Sequence, residues 1–234
     1  MNGKNPLSEI IVVIPVHDEE ELLGACLSSV AAAASNAAAP VRTIVVLDQC
    51  SDGSAAVAAG FPEVATLTVS GPSVGAARAF GVAHALRSSR FDPQRVWLAN
   101  TDADSLVSAA WIGEHERAAH EGMDAYVGAV VPMIADLDDA RAHAWRTTHS
   151  PGSTLGHVHG ANLGIRASAY RRAGGFRPLD VDEDVDLVRR LRAGGAVIRE
   201  SEDEPVITSS RLVGRARNGY AEYLSALVPG DART

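Results

Sequence analysis

The chain has 234 residues, 46% of them hydrophobic and 5% aromatic, and a formal net charge of −8. This fits one large α/β domain, or less readily two small ones, with a proper core, and it excludes wholesale disorder. The acidity argues against a general nucleic-acid surface, because neutralising phosphates takes clustered Lys and Arg, and a small polyanion would need a local Arg or metal ion.

The run Ile10–Val16 (IIVVIPV) is continuous and β-branched, the pattern of a strand buried on both faces. Residues 18–34 place Leu22, Leu23, Cys26, Leu27 and Val30 on one helical face, with the acids 18–21 expected at the helix N-terminus. A second strand, 43–48, ends in Asp48, and 51–60 reads as a turn and short helix. A third strand is expected at 64–69, a loop at 70–75, a helix at 76–89 and a fourth strand at 95–100. A helix over 108–122 and a strand over 125–131 complete the alternation. Such an order predicts a mostly parallel central sheet flanked by helices, with ligands at the carboxyl ends of its strands.

Beyond this point the pattern is less regular. A helix is expected at 136–148, a Gly-, Ser- and His-rich loop at 149–162, a short strand at 163–166 and a helix at 167–173. An acid-capped helix over 182–194, a strand near 196–200 and an amphipathic segment at 214–228 follow. The segment 214–228 could pack on the core, pair two subunits in a homodimer or touch a membrane surface. Two cysteines, Cys26 and Cys50, form no metal-type pair and read as free thiols of a reducing cytoplasm. The first residues lack the apolar core of a signal peptide, and no run spans a bilayer, so no integral membrane segment is expected.

Several polar residues fall at strand ends or helix starts. Asp102-Ala103-Asp104 closes the fourth strand. Two acids this close repel each other unless a cation or proton lies between them, so the turn is either merely solvated or a site for a hard ion, Mg2+ or Mn2+. Gly75 and Arg78 open a helix, where a backbone approach and a forked donor suit an anion. Glu183 and Asp184 crowd with Asp182 and Asp186 in one helical turn, which raises the pKa of some and suits a general base. His157 and His159 alternate before Gly160, as a metal pair or as acceptor-pocket residues. No GxGxxG or Walker motif is present.

In order, PVHDEE, LDQCSDGS, the Gly75–Arg78 segment, TDAD, HGANLGIRASAYRRAGGF and DEDVDLVRRLRAGG resemble the inverting family 2 glycosyltransferases of the GT-A fold, over roughly residues 10–200. The resemblance implies one GT-A domain over 1–234, a Rossmann-like α/β fold. It would have a nucleotide-sugar half near 10–130 and an acceptor half near 131–234. It implies that Pro15, Val16, His17, Glu19 and Asp48 hold base and ribose, and that Gly75 and Arg78 lie near the diphosphate. Asp102, Ala103 and Asp104 would take ribose and metal, with Asp102 and Asp104 as the ligands. Gly160, Ala161 and Asn162 would line the sugar and acceptor side, and Asp184 would be the catalytic base, with Glu183 second. The implied reaction moves a sugar from a nucleoside-diphosphate sugar to an acceptor hydroxyl with inversion, assisted by Mg2+ or Mn2+, in the cytoplasm or at the periphery of a membrane.

This chain departs from the family pattern in having no His after residue 159 to complete a metal site. Arg211, Arg215 or Arg217 is available to meet the diphosphate instead. The alternatives are a nucleotidyltransferase, which would want a basic Gly-rich first loop where this chain has PVHDEE, and a non-catalytic nucleotide-sugar-binding module, which would not hydrolyse a donor.

Overall fold

The computed structural model of the chain describes residues 6–71, 73–214 and 219–228. Strands β1 (Glu9–Val16), β2 (Val41–Asp48), β3 (Ala65–Val69) and β4 (Val96–Asn100) alternate with helices α1 (Leu23–Ser35), α2 (Ser54–Ala59) and α3 (Val74–Ser88). There follow β5 (Ser105–Leu106), α4 (Trp111–His120), β6 (Ala125–Pro132), α5 (Asp139–Thr148), β7 (Leu163–Arg166) and α6 (Ala167–Arg172). The last elements are α7 (Glu183–Ala193), β8 (Ile198–Thr208) and α8 (Tyr220–Ala226).

All the strands form one sheet in the order β3-β2-β1-β4-β7-β6-β8-β5. The α/β class holds, but the sheet is mixed. The pairs β1–β2, β1–β4, β2–β3 and β6–β8 are parallel, whereas β4–β7, β6–β7 and β5–β8 are antiparallel. The chain reverses direction where β7 inserts between β4 and β6, a pairing that hydrophobic periodicity does not encode.

Every residue of β1 is buried. Its even-numbered residues, Ile10, Val12, Ile14 and Val16, join the cluster under α1, α2 and α4, while Ile11 and Val13 join the cluster under α3, α6 and α7. A strand covered on both faces needs apolar residues at consecutive positions, which explains the unbroken run.

Three expectations change. Helix α1 begins at Leu23 and has no acid in its first turn. Residues 18–21 form the preceding turn, with Asp18 at φ 52, and the carboxylates of Asp18 and Glu20 cap loop amides instead of the helix. Strand β8 runs well past residue 200, to Thr208. Its middle is a bulge: Gly128 faces Ser201 and Val130 faces Val206, and Glu204 sits at φ 51. Acids and Pro205 in the bulge hide the strand from a propensity reading. The short β5 was expected as part of a turn. It pairs Ser105 with Thr208 and Leu106 with Ile207, and so ties the turn after β4 to the end of β8.

Candidate functional site

The carboxyl ends of β1, β2 and β4 face the start of α7 and the segment after β8, and their polar residues form two arginine-centred clusters. In the first, Arg78 is buried at 2% exposure on α3. One terminal nitrogen donates to Asp102, and Nε donates to Glu183 at 3.2 Å. The remaining terminal nitrogen, Nη1, is buried without a hydrogen-bond partner among the described residues. Asp184 accepts from the Gly160 amide and, at 2.7 Å, from its own helix at Val185. Gly160 lies flat on the guanidinium: a Cβ there would stand 2.5 Å from Arg78 Nη2. The turn of residues 160–162 therefore needs this glycine to close over Arg78.

In the second cluster, Arg211 bridges Glu19 and Asp104. One terminal nitrogen is 2.8 and 3.1 Å from the two Glu19 oxygens, and the other is 2.7 Å from Asp104 Oδ2. Asp104 Oδ1 also accepts from Ser105 Oγ at 3.2 Å and Thr208 Oγ1 at 3.4 Å. The two clusters share the Asp102-Ala103-Asp104 turn, which is closed by the Ser105 amide on the Asp102 carbonyl at 3.2 Å.

Burial raises three acids here. Asp104 is pushed up to about 6 by burial and then by Asp102, with Arg211 opposing. Burial also raises Glu183 and Asp184, against the pull of Arg78. Asp186 goes the other way: three arginines, Arg177, Arg189 and Arg190, gather on it, and it lies below the ordinary Asp range because hydrogen bonds from Arg190 and Arg189 outweigh its burial. Three of the four crowded acids thus point to different partners, Glu183 to Arg78, Asp184 to the Gly160 amide and Asp186 to its arginines, while Asp182 is exposed.

The expected nucleotide residues divide. Asp48 is buried and accepts from the Gly71 amide at 2.7 Å, while the exposed His17 donates from Nδ1 to the Asp48 carbonyl at 2.7 Å. Pro15 and Val16 are buried in β1, with Val16 in the core, so these two offer a ligand backbone at most. Gly75 does not leave room for a phosphate: a Cβ there would lie 2.4 Å from the Arg177 carbonyl and 2.9 Å from Glu183 Cβ. It serves the close packing of α3 against α7. Asn162 is fully buried, accepting from Trp111 Nε1 and donating to the Ala129 carbonyl, both at 2.9 Å. It anchors the 160–162 turn from beneath, and Ala103 and Ala161 are likewise buried. His157 and His159 lie edge to face at 6.5 Å, and burial lowers His159 to about 4. Arg215 and Arg217 lie outside the described residues.

Among the described residues, Asp18, Cys50 and Asp52 are the acidic trio whose ligand atoms could share one ion. The two carboxylates already serve as caps for loop amides. Asp18 accepts from the amides of Ser51 and Asp52, and Asp52 accepts from those of Ser54 and Glu20. The Cys50 thiol is raised by burial, which keeps it protonated. An acidic cavity of about 410 Å³ lined by Asp18, Glu20, Asp52 and Arg211 opens beside the trio; its walls do not include Asp48, Asp102 or Asp184.

Sequence reasoning missed an aromatic string. Trp145 stacks on His149 at 4.3 Å, His149 meets Tyr223, and Tyr223 leads through Tyr220 to His159, next to Gly160. It joins α5, the 149–159 loop and α8. Glu202 in the β8 bulge fixes that loop by accepting from the amides of Gly152 and Thr154. Only the aromatic residues themselves signal the string, and they are spread over three elements.

Residues 11–174 match the family model described as Glycosyl transferase family 2. No curated protein matches the chain by sequence. The fold is similar to S. aureus TarS 1–349 in complex with UDP-GlcNAc (TM-score 0.67, 12% identity, 89% of this chain and 60% of that one). It is also similar to the mannosyltransferase PcManGT from Pyrobaculum calidifontis in complex with GDP-Man and Mn2+ (TM-score 0.59, 18% identity, 96% and 70% covered). The chain thus spans 60% of the TarS 1–349 structure.

Proposed function

The chain belongs to glycosyl transferase family 2, and from that premise we propose that it moves a sugar from a nucleoside-diphosphate sugar to an acceptor hydroxyl, with inversion, at the Asp102-Ala103-Asp104 turn that the two arginine clusters share. The observation that carries this reading is the convergence of the Asp102–Asp104 turn and the Glu183–Asp184 pair on one buried guanidinium, that of Arg78.

An alcohol is a poor nucleophile, and a positioned carboxylate removes its proton as it attacks. Asp184 has the properties for this. The Gly160 amide orients it, burial raises its pKa, and it stands at the start of a rigid helix. Glu183 is engaged by Arg78 and holds that arginine in place. Attack on the anomeric carbon from the side opposite the leaving diphosphate inverts that centre. Arg78, with a buried nitrogen that is unpaired among the described residues, supplies positive charge near the departing group.

The carboxylates of the two clusters, Glu19, Asp102, Asp104, Glu183 and Asp184, outnumber the two guanidiniums. That surplus, and the raised Asp104, fit a hard divalent cation, Mg2+ or Mn2+, held by Asp104 and Asp102. When bound, such an ion neutralises charge on the diphosphate. Asp48 and His17, at the end of β2 and after β1, are suited to hydrogen-bond base or ribose.

We assign residues 1–234 to a single transferase domain. Among the described residues no helix is long and apolar enough to cross a membrane, which is compatible with a cytoplasmic enzyme. The test is release of nucleoside diphosphate from UDP-GlcNAc and GDP-mannose with Mn2+. Turnover of at least one donor, lost in Asp184→Asn, is expected. Turnover equal in that variant overturns the base assignment.

A further inference from the structure

Arg211 joins an acid from the turn after β1 to one from the turn after β4. Its fork holds Glu19 at 2.8 and 3.1 Å and Asp104 at 2.7 Å. Its backbone is fixed, because the Ser209 amide donates to the Asp104 carbonyl at 3.1 Å and Ser210 Oγ donates to the Met133 carbonyl at 2.7 Å. The acids are nearly enclosed, at 9% and 13% side-chain exposure, while Arg211 keeps 32%. A cation with a long side chain and an exposed flank therefore rests on two fixed carboxylates.

A divalent ion on Asp104 would compete for the same oxygen. Mg2+ binds oxygen at about 2.0–2.1 Å and demands near-octahedral geometry. A guanidinium 2.7 Å from Asp104 Oδ2 obstructs that shell and repels the ion across a short distance. The lost charge on Asp104 must be replaced when Arg211 leaves, and an ion does so. The freed planar fork can pair with two oxygens of a phosphate at once.

Building on the transferase reading of this turn, we propose that Arg211 is a positioning residue that acts as a tethered counter-ion. It clamps Glu19 to Asp104 while the donor is absent. It then yields the Asp104 oxygen to a divalent cation and turns its fork to the diphosphate that arrives with that cation. Metal and nucleotide are coupled through this one side chain.

The test is titration of the full chain with MnCl2, read from the electron paramagnetic resonance signal of free Mn2+, first alone and then with saturating UDP or GDP. Arg211→Gln should bind Mn2+ alone at least tenfold more tightly than the unmodified chain, and adding Asp104→Asn to that variant should erase the gain. In the unmodified chain one of the two nucleotides should raise Mn2+ affinity more than tenfold, and in Arg211→Gln less than threefold. Arg211→Lys keeps the charge but cannot bridge both acids, so it should fall between the two, and it serves if the Gln variant does not fold. Equal or weaker Mn2+ binding in both variants, a gain that survives Asp104→Asn, or unchanged coupling to the nucleotide overturns the proposal. Donor turnover without this Mn2+ pattern removes Arg211's role and leaves the transferase reading. The Mn2+ pattern without turnover of any donor does the reverse.

Discussion

Arg78 donates to Asp102 from a terminal nitrogen and to Glu183 from Nε, so a single buried cation joins the turn after β4 to the first residue of α7. Breaking a buried pair leaves a charge without its partner, which costs roughly 3–5 kcal/mol. Arg78→Met should therefore lower stability by about that amount in urea melts, and abolish turnover as well. A variant that melts like the unmodified chain would mean the pair carries no structural weight.

Asp184→Asn is expected to behave differently. It keeps the shape and an oxygen for the Gly160 amide, so the fold and donor affinity should stay nearly intact. Turnover should fall by roughly 10²–10⁴, the usual contribution of a general base. Because burial raises Asp184, the acid limb of the rate profile should lie above the ordinary Asp range. Titration calorimetry beside a turnover assay separates binding from chemistry, and parallel losses in the two would contradict the role.

Asp104→Ala should remove metal-dependent nucleotide binding. Calorimetric affinity for UDP or GDP, compared with and without Mn2+, provides the measurement. A Mn2+ effect that persists in the variant would place the ion elsewhere.

His115 is expected to contribute to acid lability. It is fully buried, accepts from Trp97 Nε1 at 3.1 Å, and has its pKa lowered to about 3 by burial. The unfolded chain takes up this proton near pH 6.5 and the folded chain does not. Its contribution is thus intact above pH 6.5 and is lost progressively down to about pH 3, on the order of 4 kcal/mol in total. Asp104, raised to about 6, acts oppositely: its contribution is present below the unfolded Asp value and is lost as pH rises toward 6. In His115→Gln, which still offers Trp97 an acceptor, denaturant midpoints should fall less steeply on acidification. Identical slopes for the two chains would exclude His115 as the source.

Gly75→Ala should cost about 1–3 kcal/mol, the usual range for overpacking, because the new methyl meets the Arg177 carbonyl and Glu183 Cβ. It should also reduce turnover by displacing α7. Full activity with an unchanged melting temperature would show that α3 and α7 can separate freely.

The parallel half was readable from the sequence because burial on both faces leaves an unbroken apolar run, as in Ile10–Ile14. The closeness of Asp102 and Asp104 was readable as a point of charge repulsion, although a strand-end turn by itself accounts for one acid. Three kinds of information were not. The insertion of β7 between β4 and β6 is a matter of long-range pairing. The inward amide of Asn162 and the packing role of Gly75 depend on neighbours from other elements. The place of Arg211 on Asp104 requires β8 to continue to Thr208, through a bulge rich in acids that looks like loop.

The pairing of Ser105 with Thr208 gives assembly an order. A nascent chain can lay down β1 to β4 early, yet its Asp104 acquires its hydroxyl and guanidinium neighbours only when residues 208–211 have emerged. A fragment that stops before Thr208 would thus hold β1 to β4 while its Asp104 lacked both of these neighbours.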